Sequence, residues 1–515
     1  MAENERLVTQ ITCTPGIRRD GTTLDTNFWG DGQWVRFYRG RPTKMGGRYR
    51  GQVNQTGVTR AVLVSYNPTL NQNYVHNFNT SGIQRMSIDN SGDIASGGII
   101  TRTPSAGFSS DNNWLWQYDT MYDPSGGGAT VLVAHANKPN TVDDETAYPV
   151  WYGKLNTTTV GEYPLATTGQ SVSGGCVVLH PYLFIYGSNG LIQNSVAGAP
   201  ATWTGGEANT ANVAGSKIIK GLPIRGSGQS PAGLFWSRES LIRVTFVGGS
   251  ALWRYDTLTT NTSIISSNCA IEYDGLYFWI GVDRFYVYDG SVKELPNQLN
   301  LVWFFDNLNW SYRHRIWAMK ISKWGEIWWF FPKTGSTECN HAIIFNLREK
   351  TWYDCEVTRS AGHWAPTFQY PVMADPIDSP VSSGSYGLWV HEYGVDSVDQ
   401  GVTSAIESYF ETADFGYPTG GPGEQVQGPN RQTRLIRVEP DFAQVGDMSV
   451  QVLGSNYANG TQVESDEYPF GPTDTKVDMR EQRRLIRVKF KSNTVGGDYI
   501  MGKPLLHYEK GDGRG

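Results

Sequence analysis

Residues 269–295 read CAIEYDG, LYFWIG, VDR, FYVYDG and SVKEL, which is a series of strand-length apolar runs separated by turns. Asp274-Gly275 and Asp289-Gly290 are dipeptides suited to the left-handed backbone of a tight hairpin. Runs this short cannot present the repeating apolar face of a helix. Related units recur at residues 129–156, 181–196 and 316–354. A chain written this way is confined to many short strands, each burying a face against its neighbours.

Composition agrees. Aromatic residues reach 13% while charged residues stay at 18%, a mixture that packs well on pleated surfaces. The expected fold is all-β: an irregular β-propeller over residues 55–399, with an additional C-terminal β-sandwich-like domain over 400–515. Radial repetition of four-stranded units protects strand edges in a long all-β chain. No strict period is present, so a WD40 or kelch array is excluded. A stacked array of sandwiches is the architectural alternative. The stretch PTGGPGEQVQGP, at 418–429, reads as a Gly/Pro linker or long loop. Beyond it, RLIRV occurs at both Arg434 and Arg484, and LIRV at Leu241. These read as amphipathic strands with Leu and Val on one face and Arg outward. In EIWWFFP, at 326–332, adjacent Trp328 and Trp329 must face opposite sides, leaving one able to reach an interface.

The net charge of −6 argues against a general DNA binder, which needs cations to neutralise phosphates. Charge is unevenly distributed. Between residues 18 and 50 there are eight basic side chains against three acidic ones (Asp20, Asp25, Asp31). The first segment, 1–54, is therefore expected to dock on an acidic partner or touch phosphate, with Arg18, Arg19, Arg36, Arg39, Arg41 and Lys44 as candidate docking residues. A solvated surface is the plainer reading. Residues 401–479 carry twelve acids and four bases, and residues 480–515 nine bases and four acids. Such asymmetry suits opposite faces that meet neighbours in a head-to-tail ring.

The five cysteines are odd in number and show no CxxC spacing, so a disulfide framework is not expected. The sequence contains no secretory h-region and no apolar run long enough for a transmembrane helix.

The spacings that mark common catalytic sites are absent from the sequence. There is no G-x-S-x-G elbow, Gly-rich phosphate loop with Lys, or H-E-x-x-H helix. Cys339, His341 and Cys355 supply only three soft ligands, one of them distant, so core roles outweigh zinc. Asp274, Asp283 and Asp289 sit where turns need Asp rather than where a glycosidase needs paired acids. Ser87-Ile88-Asp89-Asn90-Ser91-Gly92 departs from a sialidase Asp-box. No catalytic residue, metal or cofactor is expected, and the chain is read as non-enzymatic.

Two terminal stretches carry a resemblance. The first is Gly16-Ile17-Arg18-Arg19-Asp20-Gly21-Thr22, followed by WGDGQWVRFYRGRP over 29–42 and Lys44-Met45-Gly46-Gly47. The second is residues 483–515, ending GGDYIMGKPLLHYEKGDGRG. Together they resemble the tail hub and packaged-DNA stabilisation proteins of short-tailed bacteriophages. In that family a D-G-x-x-V-R-F-x-x-G-R-P-x-K-x-G-G lead introduces the propeller. The resemblance implies a virion protein of the phage tail, assembled in the host bacterial cytoplasm. It implies a hexameric ring beneath a head-to-tail adaptor, in contact with fibre, spike or needle proteins. The ring lumen would pass double-stranded DNA without sequence-specific binding, and Asp143, Asp144 and Glu145 are candidate channel-facing acids. The rival readings are a carbohydrate-binding or glycan-degrading propeller acting in receptor recognition, and a cell-surface adhesion module. The missing secretory signal disfavours the second.

Overall fold

The computed structural model describes residues 6–512 except 23, 25–26, 51–54, 90–98, 106–107, 109–112, 125–127, 139–143, 156–164, 226–229, 379–384, 417–430 and 459. The fold is all-β. Among the described residues the helical elements are one α-helix, Leu301–Asn307, and two short 3-10 turns. The stretch 418–429 lies outside the described residues.

Six four-stranded antiparallel sheets follow one another, each made of four consecutive strands. Their first strands are Ala61–Asn67, Leu115–Asp123, Gly175–Leu179, Ile218–Pro223, Ile271–Tyr273 and Trp317–Ile321. The fifth sheet is the unit with the two Asp-Gly turns, and both turns form: Asp274 has φ 52°, Gly275 79° and Gly290 112°. A seventh sheet begins with Ala361–Ala365 and Phe368–Asp378. Its third strand, Ser385–His391, pairs with Arg48–Arg50 from the start of the chain, which in turn pairs in parallel with Ser397–Asp399.

First strands of neighbouring sheets touch at most steps of the series, and that of the seventh sheet touches that of the first. All seven first strands line one cavity of about 410 Å³. The hydrophobic cores lie between successive sheets. Ile219, Trp236 and Trp279 fill one between the fourth and fifth, and Val177, Phe184 and Phe235 fill one between the third and fourth.

Two further sheets are formed chiefly by residues after 404 and a third half by them, and the N-terminal segment is woven into all three. Arg6–Gln10 pairs with Leu505–Lys510, Asp31–Gln33 with Ser408–Glu411, and Arg41–Lys44 with Asp498–Met501. Apart from a small parallel pair, Thr14–Ile17 with Phe28–Trp29, the described strands of residues 1–54 join sheets of the remaining chain. The hairpin Ser397–Asp399 with Val402–Ser404 straddles the expected boundary at 399/400.

The sixth sheet is buried on both faces. Trp328, Phe330 and Tyr353 share a core with Ile17, Trp34, Phe410 and Val488, whereas Trp329, Phe331 and Trp352 face the fifth sheet. Trp328 and Trp329 do point to opposite sides, but each side is a core, at 2% and 0% exposure. Neither reaches a free surface.

The two RLIRV segments differ. Thr433–Glu439 has a register shift between Leu435 and Arg437. That extra residue puts Leu435 and Val438 on one side, both fully buried. Leu485–Ser492 is regular against Met448–Ser455, so Ile486, Val488 and Phe490 share a face and Leu485 opposes them. The expected face pattern therefore holds only where a bulge supplies it.

Candidate functional site

The candidate site is the lead segment, residues 16–50, where it crosses the sixth and seventh sheets. Local sequence sets its shape. Val35–Tyr38 and Arg41–Lys44 form a hairpin around Arg39 and Gly40, both with positive φ (51° and 76°). The two-residue loop with this backbone matches the natural strand twist. Trp34 also sits at positive φ, 54°, uncommon for so large a side chain. Its surroundings hold it there: its indole Nε1 donates to Gly46 O at 3.2 Å, and its carbonyl accepts from Ser408 Oγ at 2.9 Å.

Three basic residues of the segment, Arg19, Arg36 and Arg50, find acids in their own chain. Arg36 is 1% exposed. Its Nε donates to Glu326 Oε1 at 2.9 Å and its Nη2 to Glu326 Oε2 at 3.2 Å. The other edge of the guanidinium donates to Glu392, at 2.7 and 2.6 Å. The Trp324 ring lies under it at 4.4 Å. Tyr353, Trp328 and Trp324 donate their polar hydrogens to the same two carboxylates. Burial alone would lower the Arg36 pKa, but Glu326 and Glu392 push it well above its ordinary value. Burial alone would raise the Glu392 carboxyl, yet Arg36 holds it below the usual range.

The neighbouring cations are likewise held within the chain, by acids, a carbonyl or a hydroxyl. Arg19 bridges Asp31 and Asp354, the latter at 3.0 Å through both Nε and Nη2, and lies 5.7 Å from the Trp303 ring. Lys44 is buried, its Nζ donating to Gly497 O at 2.7 Å. Arg50 pairs with Asp399 at 2.6 Å, and Arg48 donates to Ser397 Oγ at 3.0 Å. Asp20 caps the helix Leu301–Asn307 by accepting from the amides of Val302 and Trp303. The glycines belong to the same joint. A Cβ on Gly46 would meet Glu392 Cα at 2.8 Å, and one on Gly47 would meet backbone atoms of Asp396 and Tyr393 at 2.4–2.6 Å.

The structure thus divides the docking candidates. Arg36 and Lys44 are enclosed and cannot meet a partner, and Arg19 is committed to Asp31 and Asp354. The acidic partners of Arg19 and Arg36 are internal. Arg39 and Arg41 are exposed and Arg18 partly so, and these remain at the surface. Sequence reasoning missed Glu326, Asp354 and Glu392, because their positions relative to Arg36 and Arg19 appear only in the fold.

Of the acidic loop, Asp143 lies outside the described residues. The Asp144 carbonyl accepts from Lys217 Nζ, and Glu145 is exposed, 3.8 Å from Arg238. Neither lines the cavity enclosed by the first strands. A cleft of about 580 Å³ opens beside the joint, walled by Arg19, Trp34, Arg48, Trp303, His341 and Glu356 among others.

The charge asymmetry of residues 401–515 is partly resolved by pairing. Arg487 holds Glu411 and Asp414, Lys491 holds Glu467, and Arg434 holds Glu509 at 3.1 Å. The acidic and basic stretches are in part neighbours within the fold rather than two opposed faces.

The chain matches no protein-family model and no curated protein.

Proposed function

We propose that this chain is a non-enzymatic structural subunit of a short-tailed bacteriophage tail, built on an irregular seven-bladed β-propeller with a β-sandwich-like C-terminal domain. Seven sheets in series, with all their first strands on one cavity, support the propeller reading. The strand Arg48–Arg50, inserted into the seventh sheet, supports closure of the ring of blades by the start of the chain.

The observation that carries the functional reading is how the lead segment is used. The positions that resemble the tail-hub lead, Asp31, Arg36, Lys44, Gly46 and Gly47, are spent on internal joints between blades and C-terminal sheets. In an enzyme or a lectin, distinctive polar residues would converge on an open pocket with unused bonding capacity. Here their bonds are turned inward, which suits a subunit that must stay rigid while genome pressure acts on it.

In this reading the subunits form a hexameric ring that extends the DNA-exit channel, retains the packaged genome and releases it on infection. Its partners are copies of itself, the head-to-tail adaptor, and fibre, spike or needle proteins, and its place is the virion tail. Arg18, Arg39 and Arg41 are the docking cations still at the surface. The loop of Asp144 and Glu145 faces the lumen, where acids spare passing DNA the attraction that would stall it.

A reconstruction of the assembled tail tests this directly. The expected map shows a ring at the distal end of the tail, with Arg39 and Arg41 against a neighbouring protein. A map with that hairpin bare and the chain outside the tail would overturn the proposal.

A further inference from the structure

The first sheet packs on the seventh, and that joint is built differently from its neighbour. Val64, Val75 and Met86 of the first sheet meet Ala361, Val372 and Val390 of the seventh. Among the described residues the only aromatic ring fully inside this core is Phe368, whereas Trp116 and Trp151 fill the joint between the first and second sheets. Small aliphatic contacts bury less apolar area than indoles and hold two sheets together less strongly.

The same face of the first sheet then turns polar. The strand Gln72–Asn79 carries Val75, Asn77 and Asn79 on the side towards the seventh sheet, and Asn77 stands directly opposite Gln84 in the next strand, Gly82–Ile88. Asn77 and Asn79 are fully buried. Asn79 Nδ2 donates to Gln84 Oε1 at 2.7 Å, and the Thr56 amide donates to the same oxygen at 3.1 Å. Thr56 belongs to the short strand Gln55–Thr56, which pairs with Ser385 and Tyr386 of the seventh sheet, so the second bond crosses the joint. Asn77 has no such tie. Among the described residues neither its Oδ1 nor its Nδ2 has a hydrogen-bond partner. A buried amide without a partner loses its bonds to water when the joint closes and regains them when it opens.

The joint also walls a cavity. Val62 and Ala361 both belong to its core, and both line the space of about 410 Å³ enclosed by the seven first strands. Parting the two sheets opens that space from the side. We propose that the joint between the first and seventh sheets is the lateral gate of this cavity, opening ahead of the joint between the second and third sheets because Asn77 favours the parted state. The gate is a property of the single chain and holds whether or not subunits assemble into a ring.

The test is thiol labelling of the folded full chain with a maleimide, in urea kept below the unfolding transition, each cysteine being followed by peptide mass. Val75→Cys reports on the gate, and Val133→Cys, equally buried, on the joint between the second and third sheets. A buried thiol reacts only when exposed, so its rate follows the population of the open joint. The expected result is labelling about tenfold or more faster in Val75→Cys than in Val133→Cys. Asn77→Leu removes an amide without orphaning a partner, and in the Val75→Cys background it is expected to slow labelling about threefold or more. Equal or slower labelling of Val75→Cys overturns the proposal, as does labelling of both positions only on global unfolding. Unchanged or faster labelling with Asn77→Leu overturns it as well. Should Val75→Cys fail to fold, Met86→Cys in the same core decides by the same criterion.

Discussion

The guanidinium of Arg36 lies flat between Glu326 and Glu392, with Nε 2.9 Å from one carboxylate and Nη2 2.6 Å from the other. Glu326 belongs to the sixth sheet, Glu392 follows the third strand of the seventh, and Arg36 comes from the N-terminal segment. One side chain thus joins three parts of the chain, in a site closed to water.

Removing that side chain leaves two carboxylates buried together. Breaking a buried pair by deleting one partner typically costs about 3–5 kcal/mol. Arg36→Met is expected to lose stability on that scale in urea unfolding, whereas Arg41→Met at the exposed hairpin should stay within about 0.5 kcal/mol. Combining Arg36→Met with Glu392→Met should cost less than the sum of the single changes. Equal, small effects of Arg36→Met and Arg41→Met would contradict the joint.

The Gly46-Gly47 step allows the lead segment to touch the loop after the seventh sheet's third strand. Gly47→Ala places a methyl group 2.4 Å from the Asp396 carbonyl oxygen and 2.6 Å from its amide nitrogen. Backbone cannot swing aside as a flexible side chain can, so a loss of about 1–3 kcal/mol or more is expected. Gly394→Ala nearby meets no atom but has φ 62°, so its cost is backbone strain alone and should be smaller. A Gly47→Ala protein as stable as the parent would contradict the close approach.

Acid should weaken the fold in two stages. His135 is fully buried, and burial pushes its pKa down to about 4, with the Val172 carbonyl acting in the other direction. The His391 pKa is also held well below 6.5, by burial and by Arg359 and Arg48, and its Nε2 accepts from Arg359 Nε at 2.9 Å. A depressed folded pKa means that the unfolded chain binds more protons as pH falls below about 6.5. The stability is present above that pH and is lost on the way down to about 4, by roughly 3 kcal/mol for His135 alone. Below the ordinary Glu range, protonation of Glu392 removes its share as well. Urea midpoints between about pH 7.5 and 4.5 measure the first stage, and His135→Gln should flatten the slope. A midpoint independent of pH would contradict it.

Much of the fold could be read in advance where the signal is local. The Asp-Gly turns of the fifth sheet announce themselves because only a few residues tolerate their backbone, and the short aromatic runs beside them had to be strands. The joint was hidden for the opposite reason. Arg36 meets Glu326 across 290 positions and Glu392 across 356, so composition showed a basic segment seeking an acidic partner without showing that the partner was internal. The bulge in Thr433–Glu439 was likewise invisible, since a one-residue register shift depends on both neighbouring strands. Trp328 and Trp329 were correctly assigned to opposite faces, but which faces are covered is decided by the C-terminal sheets.

Truncation tests the weaving of the segment. Without residues 1–50 the seventh sheet loses Arg48–Arg50 from its middle, and three other sheets lose strands. The shortened chain is expected to lose cooperative unfolding and to be cut rapidly by protease, where a detachable docking arm would leave a stable remainder.

The central claim, that this is a ring-forming tail subunit, is tested most directly by negative-stain imaging of the purified full chain across a concentration series, with mass measured on the same sample. The expected result is a closed hexameric ring with a central opening. A compact monomer at every concentration, binding or cleaving a glycan, would contradict it.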